Sequence, residues 1–175
     1  MATRGGVNRR GVLAVLASMS LGGCGFRPLY GSGGDDAGVQ ERLGEINVLL
    51  MPERSGQLMR QALMTRLERG GSGLARRYDL AVQFALGSEP IAIQRDNSTS
   101  RVRLIGTANW TLMAQDAQRR TIVSGSAREV DAFNIINQQF FAAELTSNAV
   151  QRRMVDALAE QITTQLAVHF SRQAS

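Results

Sequence analysis

The sequence predicts an α+β fold: a two-layer sandwich in which a small sheet of about four strands carries two helices on one face, in the order β-α-β-β-β-α. Three observations predict it. Apolar residues recur at helical spacing in two stretches, 55–67 and 150–168, while the segments between them alternate apolar and polar residues with a period of two. The chain has 175 residues, 43% of them apolar, which is enough for one domain with a buried core. No internal repeat is visible, so the core is built once.

Each element has its own signature. Ile46 to Met51 (INVLLM) is a short aliphatic strand ended by Pro52. SGQLMRQALMTRLERGG follows as a helix, with Ser55 as its cap and Gly70-Gly71 as its stop. Its buried stripe is Leu58, Met59, Ala62, Leu63 and Leu67. Tyr78, Leu80, Val82, Phe84 and Leu86 then alternate with Asp79, Ala81, Gln83 and Ala85, the pattern of a half-buried strand. Residues 100–114 give the clearest strand signal. Val102, Leu104, Ala108, Trp110 and Leu112 share one face, and Arg101, Arg103, Thr107, Asn109 and Thr111 share the other. Trp110 has apolar neighbours two positions away on both sides, which marks it as a core anchor. AQDAQRR, residues 114–120, is a polar turn, and Thr121 to Val130 returns as the hairpin partner. A long helix beginning between Gln138 and Thr146 closes the chain. Val150, Met154, Leu158, Ile162 and Leu166 form its buried stripe, bordered by Ala157 and Val168, with Arg152, Arg153, Asp156, Glu160 and Gln161 on the wet side. Helices on one face leave the other face of the sheet bare, polar and threonine-rich, with arginines near the hairpin ends. That is the design of a binding module.

The first residues tell a different story. Arg4, Arg9 and Arg10 precede a ten-residue apolar run, Val12 to Leu21, followed by Gly22-Gly23 and the chain's one cysteine, Cys24. A basic start, a short apolar run and small residues make a secretory signal peptide, too short for a stable transmembrane helix. Leu21-Gly22-Gly23-Cys24 resembles the bacterial lipobox, which implies cleavage before Cys24 and attachment of diacylglycerol to its sulfur, followed by N-acylation. Two or three acyl chains hold a protein firmly, since each buried methylene contributes about 0.8 kcal/mol. Gly25 in place of Asp after the cysteine implies, by the sorting rule of enteric bacteria, passage to the outer membrane. GSGGDDAG, residues 31–38, has the composition of a flexible tether. The expected organisation is therefore a signal peptide (1–23), a lipidated N-terminus with a Gly-rich tether (24–44), and a single α+β domain (45–172).

This reading changes the meaning of the charge. The formal net charge is +5 and all 20 basic residues are arginine. Loss of the signal peptide removes Arg4, Arg9 and Arg10, so nucleic-acid binding loses most of its support. One cysteine excludes an internal disulfide, and one histidine, His169, excludes a zinc site of Cys and His clusters. His169 lies near the end of the last helix, where it is read as a helix-face residue. No triad or paired-carboxylate arrangement emerges, and Asp35-Asp36 fall in the expected tether, so a small hydrolase is disfavoured. No metal and no cofactor beyond the lipid on Cys24 is expected.

The lipobox, the motif CGFRPLYG at residues 24–31, the tether and the β-α-β-β-β-α order with a long last helix together resemble the lipopolysaccharide-assembly lipoproteins of the LptE family, in their α-proteobacterial form. The resemblance spans the chain, but CGFRPLY is its distinctive part. It implies a non-enzymatic lipoprotein of the outer membrane, facing the periplasm, that plugs a large β-barrel, LptD, assists its assembly and binds lipopolysaccharide. In that family an arginine in the loop before the central strand is linked to lipopolysaccharide binding. Arg95 in IAIQRDNSTSRVRL is the nearest match, accompanied by Arg101 and Arg103, and Arg128 in SGSAREV is a weaker match to a basic position on the next strand. Physically these residues fit, because the planar guanidinium fork pairs with phosphate in a bidentate way. The same arginines would also serve simply to solvate sheet edges. Arg119 and Arg120 at the hairpin tip are further candidates, although a polar tip needs no special explanation. The rival reading is an auxiliary lipoprotein of another envelope lipid-transport system of the ABC type, or a pilotin.

Overall fold

Four strands form one mixed sheet in the order β1-β2-β3-β4: β1 is Ile46–Val48, β2 Tyr78–Ile93, β3 Thr99–Ala114 and β4 Thr121–Asn134. Three helices accompany them: α1 at Asp35–Gly44, α2 at Glu53–Leu67 and α3 at Phe140–Ala174. The structure is a computed structural model that describes residues 35–68, 73–93, 95, 99–135 and 140–174. These all fall in one compact unit, Ser32–Ser175. The expected signal peptide (1–23), Cys24, the first part of the expected tether (24–34) and the Gly70-Gly71 stop lie outside the described residues.

The topology follows from connection lengths. β1 and β2 are parallel, and α2 supplies the crossover that a parallel pair requires. β2, β3 and β4 are antiparallel neighbours, and a short turn of 115–120 joins the last two. Leu80, Leu104, Ala108, Trp110, Leu112 and Ala127 bury their side chains on one face, under α2 and α3. Lengths match across the layers. Sixteen-residue strands and a 35-residue helix each extend about 53 Å, at roughly 3.3 Å and 1.5 Å per residue. α3 runs in the direction of β3. Met154 packs with Leu104, Gln165 reaches Trp110, and Phe170 packs at a tilt against Tyr78 with ring centroids 5.5 Å apart.

The expected stripe of α3 is the buried one: Val150, Met154, Leu158, Ile162 and Leu166 are all nearly inaccessible. Trp110 is buried too, and its indole Nε1 donates to Gln165 Oε1 at 3.0 Å. Gln165 Nε2 in turn donates to Ser126 O at 3.1 Å, so the one polar atom of the ring is satisfied through an amide tied to β4. Gly125 lies beneath the indole, and a Cβ there would come within 2.6 Å of Trp110 Cζ2.

Three expectations are corrected. Residues 35–44, expected to end the tether, form α1, with Val39 and Leu43 buried; α1 packs on α3 and α2 rather than on the sheet. The helices therefore number three among the described residues, and the folded unit starts before residue 45. Ser55 does not cap α2. That helix begins at Glu53 behind Pro52, which occupies the cap position and gives no side-chain hydrogen bond. The tight start is set by Gly56, where a Cβ would meet Met51 Cβ at 2.8 Å, and by Gln57, whose Nε2 donates to Met51 O at 2.7 Å. Finally, β2 and β4 run past Leu86 and Val130, to Ile93 and Asn134, because each follows β3 to its end.

Arg76 locks the joints. Its Nη1 donates to Gly44 O at 2.7 Å and Ile46 O at 2.9 Å, and its Nη2 pairs with Glu68. One guanidinium thus joins the ends of α1 and α2 to the start of β1, using donors a lysine could not present together.

Candidate functional site

The bare face of the sheet is built from every second residue of three strands. Register across β2, β3 and β4 reads Ala81, Thr111 and Ser124; then Gln83, Asn109 and Ser126; then Ala85, Thr107 and Arg128. The next rows are Gly87, Ile105 and Val130, then Glu89, Arg103 and Ala132, then Ala92, Arg101 and Asn134. The face therefore divides along its length. One half is neutral and hydrogen-bonding. The other sets an apolar row between Arg128 on one side and Arg103 and Arg101 on the other.

The sequence-predicted arginines are brought together to that extent. Arg101 and Arg103 project from the same face of β3 about 7 Å apart, and Arg128 stands roughly 14 Å along the strand from the Arg103 row. Arg95 is exposed in the turn joining β2 to β3, beyond the Arg101 end. Arg101, Arg103 and Arg128 are exposed. Arg103 meets Glu89 at 3.8 Å, with both side chains about half accessible, a pairing worth at most about 1 kcal/mol. Among the described residues Arg95, Arg101 and Arg128 have no acidic partner. Guanidinium groups in this state lose little when they turn to an external anion.

The apolar row was not legible from the sequence as part of a site. Val130 is 41% exposed, and Ile105 beside it is half-buried. A β-branched pair on the solvent side of a strand is unremarkable alone, and only the hairpin register places the two side by side with Gly87. Two other predicted arginines are occupied. Arg120 Nε donates to Asp116 Oδ2 at 2.8 Å, and Arg119 Nη2 to Asp79 Oδ2 at 3.1 Å. The hairpin tip is a clasp rather than a free cationic tip.

Asp79 organises that clasp. Asn47 Nδ2 and Gln115 Nε2 each donate to its Oδ1 at 2.8 Å. Burial pushes its carboxyl up, but those two bonds and the Arg119 charge outweigh it and hold it below the ordinary carboxylate range. The acceptor links β1, β2 and the β3–β4 turn, and Arg119 takes a left-handed backbone, φ 48°, to reach it. Asp131 is lowered as well, chiefly by a hydrogen bond from Arg153, 2.9 Å away on α3.

Among the described residues no group of three acidic, cysteine or histidine side chains could hold a metal, and no helix is long and apolar enough to cross a membrane. The chemistry on offer is recognition: cations, a short apolar strip and a row of amides and hydroxyls.

Comparison with solved structures yields lipoproteins. A lipoprotein of Caulobacter crescentus superposes with a TM-score of 0.64 at 22% identity, covering 79% of this chain and 98% of that one. The rare lipoprotein B of Shewanella oneidensis matches with a TM-score of 0.56 at 11% identity, over 74% of this chain and 97% of its own. A minor lipoprotein of Acinetobacter baumannii gives 0.53 at 18% identity, over 71% and 91%. At these identities the likeness is one of fold. No match was found among curated protein sequences. The sequence profile of the lipopolysaccharide-assembly family LptE matches residues 44–166, the span from the end of α1 deep into α3. The chain belongs to the LptE family of lipopolysaccharide-assembly proteins.

Proposed function

We propose that this protein is anchored by lipid on Cys24 to the periplasm-facing leaflet of the outer membrane, plugs an LptD-type β-barrel and assists its assembly, and binds lipopolysaccharide on the bare face of its sheet. Family membership supports the general role, lipopolysaccharide assembly in the bacterial envelope without catalysis. The observation that carries the finer reading is the cationic half of the face. Lipid A presents phosphates beside acyl chains, and this half presents weakly engaged arginines on either side of a strip made of half-buried Ile105 and exposed Val130. The neutral half suits the wall of a water-filled barrel, which is polar, so that contact there rests on hydrogen bonds and shape.

Two measurements test it. Affinity purification in detergent should recover a large β-barrel with the tagged protein, and recovery without any such barrel sinks the plug assignment. Arg95→Asp together with Arg103→Asp should weaken lipopolysaccharide binding about tenfold or more while the barrel is still recovered. Unchanged binding returns these arginines to the role of solvating the sheet.

A further inference from the structure

The solvent side of the helical layer carries a crevice along α2. Two adjoining hollows of about 520 and 460 Å³ form it, and Leu58, Gln61 and Thr65 belong to both. The first adds Arg54, Arg60 and Glu68; the second adds Arg66 of α2 with Arg152 and Asp156 of α3. From Arg54 to Glu68 the crevice follows roughly 21 Å of helix, at about 1.5 Å per residue. Leu58 and Ala62, two positions expected in the buried stripe of α2, are only half-buried because they open onto it.

Its charges do not balance. Both lining carboxylates are already paired, Glu68 with Arg76 and Asp156 with Arg66 at 3.3 Å. Arg54, Arg60 and Arg152 are left without a carboxylate among the described residues. Arg60 Nε donates to Val48 O at 3.2 Å, which steadies that side chain and leaves its charge uncompensated. Arg54 and Arg152 are exposed and make no hydrogen bond among the described residues. The exposed Gln61 side-chain amide, shared by the two hollows, is equally free among them.

We propose that this crevice, on the reading of the protein as a barrel plug, takes an acidic, extended segment of the barrel. A plug enclosed by a barrel meets it on the helical side as well as on the sheet side, and here the contact is one of charge. The cations are spread over both hollows, Arg54 and Arg60 in one and Arg152 in the other, which suits a run of carboxylates better than a single phosphate. Each guanidinium can hold a carboxylate in a bidentate way. The Gln61 amide can donate to and accept from a peptide group, and half-buried Leu58 gives the segment an apolar seat. A length of 21 Å accommodates about six residues of extended chain, at roughly 3.3 Å each.

The test is affinity purification in detergent of the tagged full chain. Arg54→Glu combined with Arg152→Glu should recover about tenfold less barrel than the parent, with the unfolding midpoint and lipopolysaccharide binding of the free protein unchanged. Arg54→Gln with Arg152→Gln removes the attraction without adding repulsion and should lose less. Arg172→Glu, on the same helix and outside the crevice, makes the same charge change as Arg152→Glu alone and should keep parent-like recovery. A photoreactive benzophenone side chain placed at Gln61 should cross-link to the barrel on illumination. Parent-like recovery by the double Glu variant, a loss with Arg172→Glu equal to that with Arg152→Glu, or no cross-link from position 61 overturns the crevice assignment and leaves the plug reading standing. A parent that recovers no barrel overturns both.

Discussion

The two faces of β3 make an instructive pair. On the inner face Trp110 is 3% exposed, its ring nitrogen is bonded to Gln165, and the space under it is reserved by Gly125. On the outer face, seven residues earlier along the same strand, Arg103 is about half accessible and holds Glu89 at 3.8 Å. Inner side chains have partners fixed by packing. The outer arginines have weak partners or none among the described residues. A period of two therefore divides the strand between a packed face and the proposed recognition face, and substitutions on the two should separate stability from binding.

The largest expected effect is on the inner face. Trp110→Ala should lower unfolding free energy by about 3–5 kcal/mol in denaturant titration, since it removes a buried ring and strands the Gln165 amide. Gly125→Ala should follow at about 1–3 kcal/mol, because the added methyl meets a ring held on both sides rather than the free end of a flexible chain. Asp79→Ala, at the β1 and turn end of the outer face, should remove about 1–3 kcal/mol by leaving the Asn47 and Gln115 amides without their acceptor.

The sign of the pH effect follows from the same group. The folded-state carboxyl of Asp79 is lowered below its ordinary value of 3.8. Its contribution is complete above that value and is lost as pH falls below it, through the lowered folded value. Acid unfolding of the parent should therefore lose this increment below about pH 4, and Asp79→Asn should show a shallower acid limb. A limb unchanged by the substitution would remove Asp79 as its source. The smallest effect belongs to the outer face. Glu89→Gln frees Arg103 and should tighten lipopolysaccharide binding by no more than about fivefold, with stability altered by less than about 1 kcal/mol.

Periodicity carried most of this fold into the sequence. The α3 stripe and both faces of β3 are readable because many residues repeat one pattern. What was hidden depends on partners distant in the chain. Among the described residues α1 offers Val39 and Leu43 as its buried apolar side chains, behind an Asp-Asp-Ala-Gly start, so its helical state is made by docking on α3 rather than by its own composition. The outer half of β2, GSEPIAI, breaks alternation at Gly87 and Pro90, and it is a strand because β3 pairs with it. The arginines of the face could be named, but their relation to Ile105 and Val130 comes from hairpin register. Arg76 carried no signal at all, since its three acceptors come from separate segments.

The central claim is the proposal that the outer face recognises lipopolysaccharide through arginines that add little to the stability of the fold. The direct measurement is lipopolysaccharide affinity of Arg103→Ala combined with Arg128→Ala, read beside the unfolding midpoint of the same protein. Binding should weaken about tenfold or more while stability stays within roughly 0.5 kcal/mol of the parent. Parent-like affinity in a stably folded double variant would contradict the account.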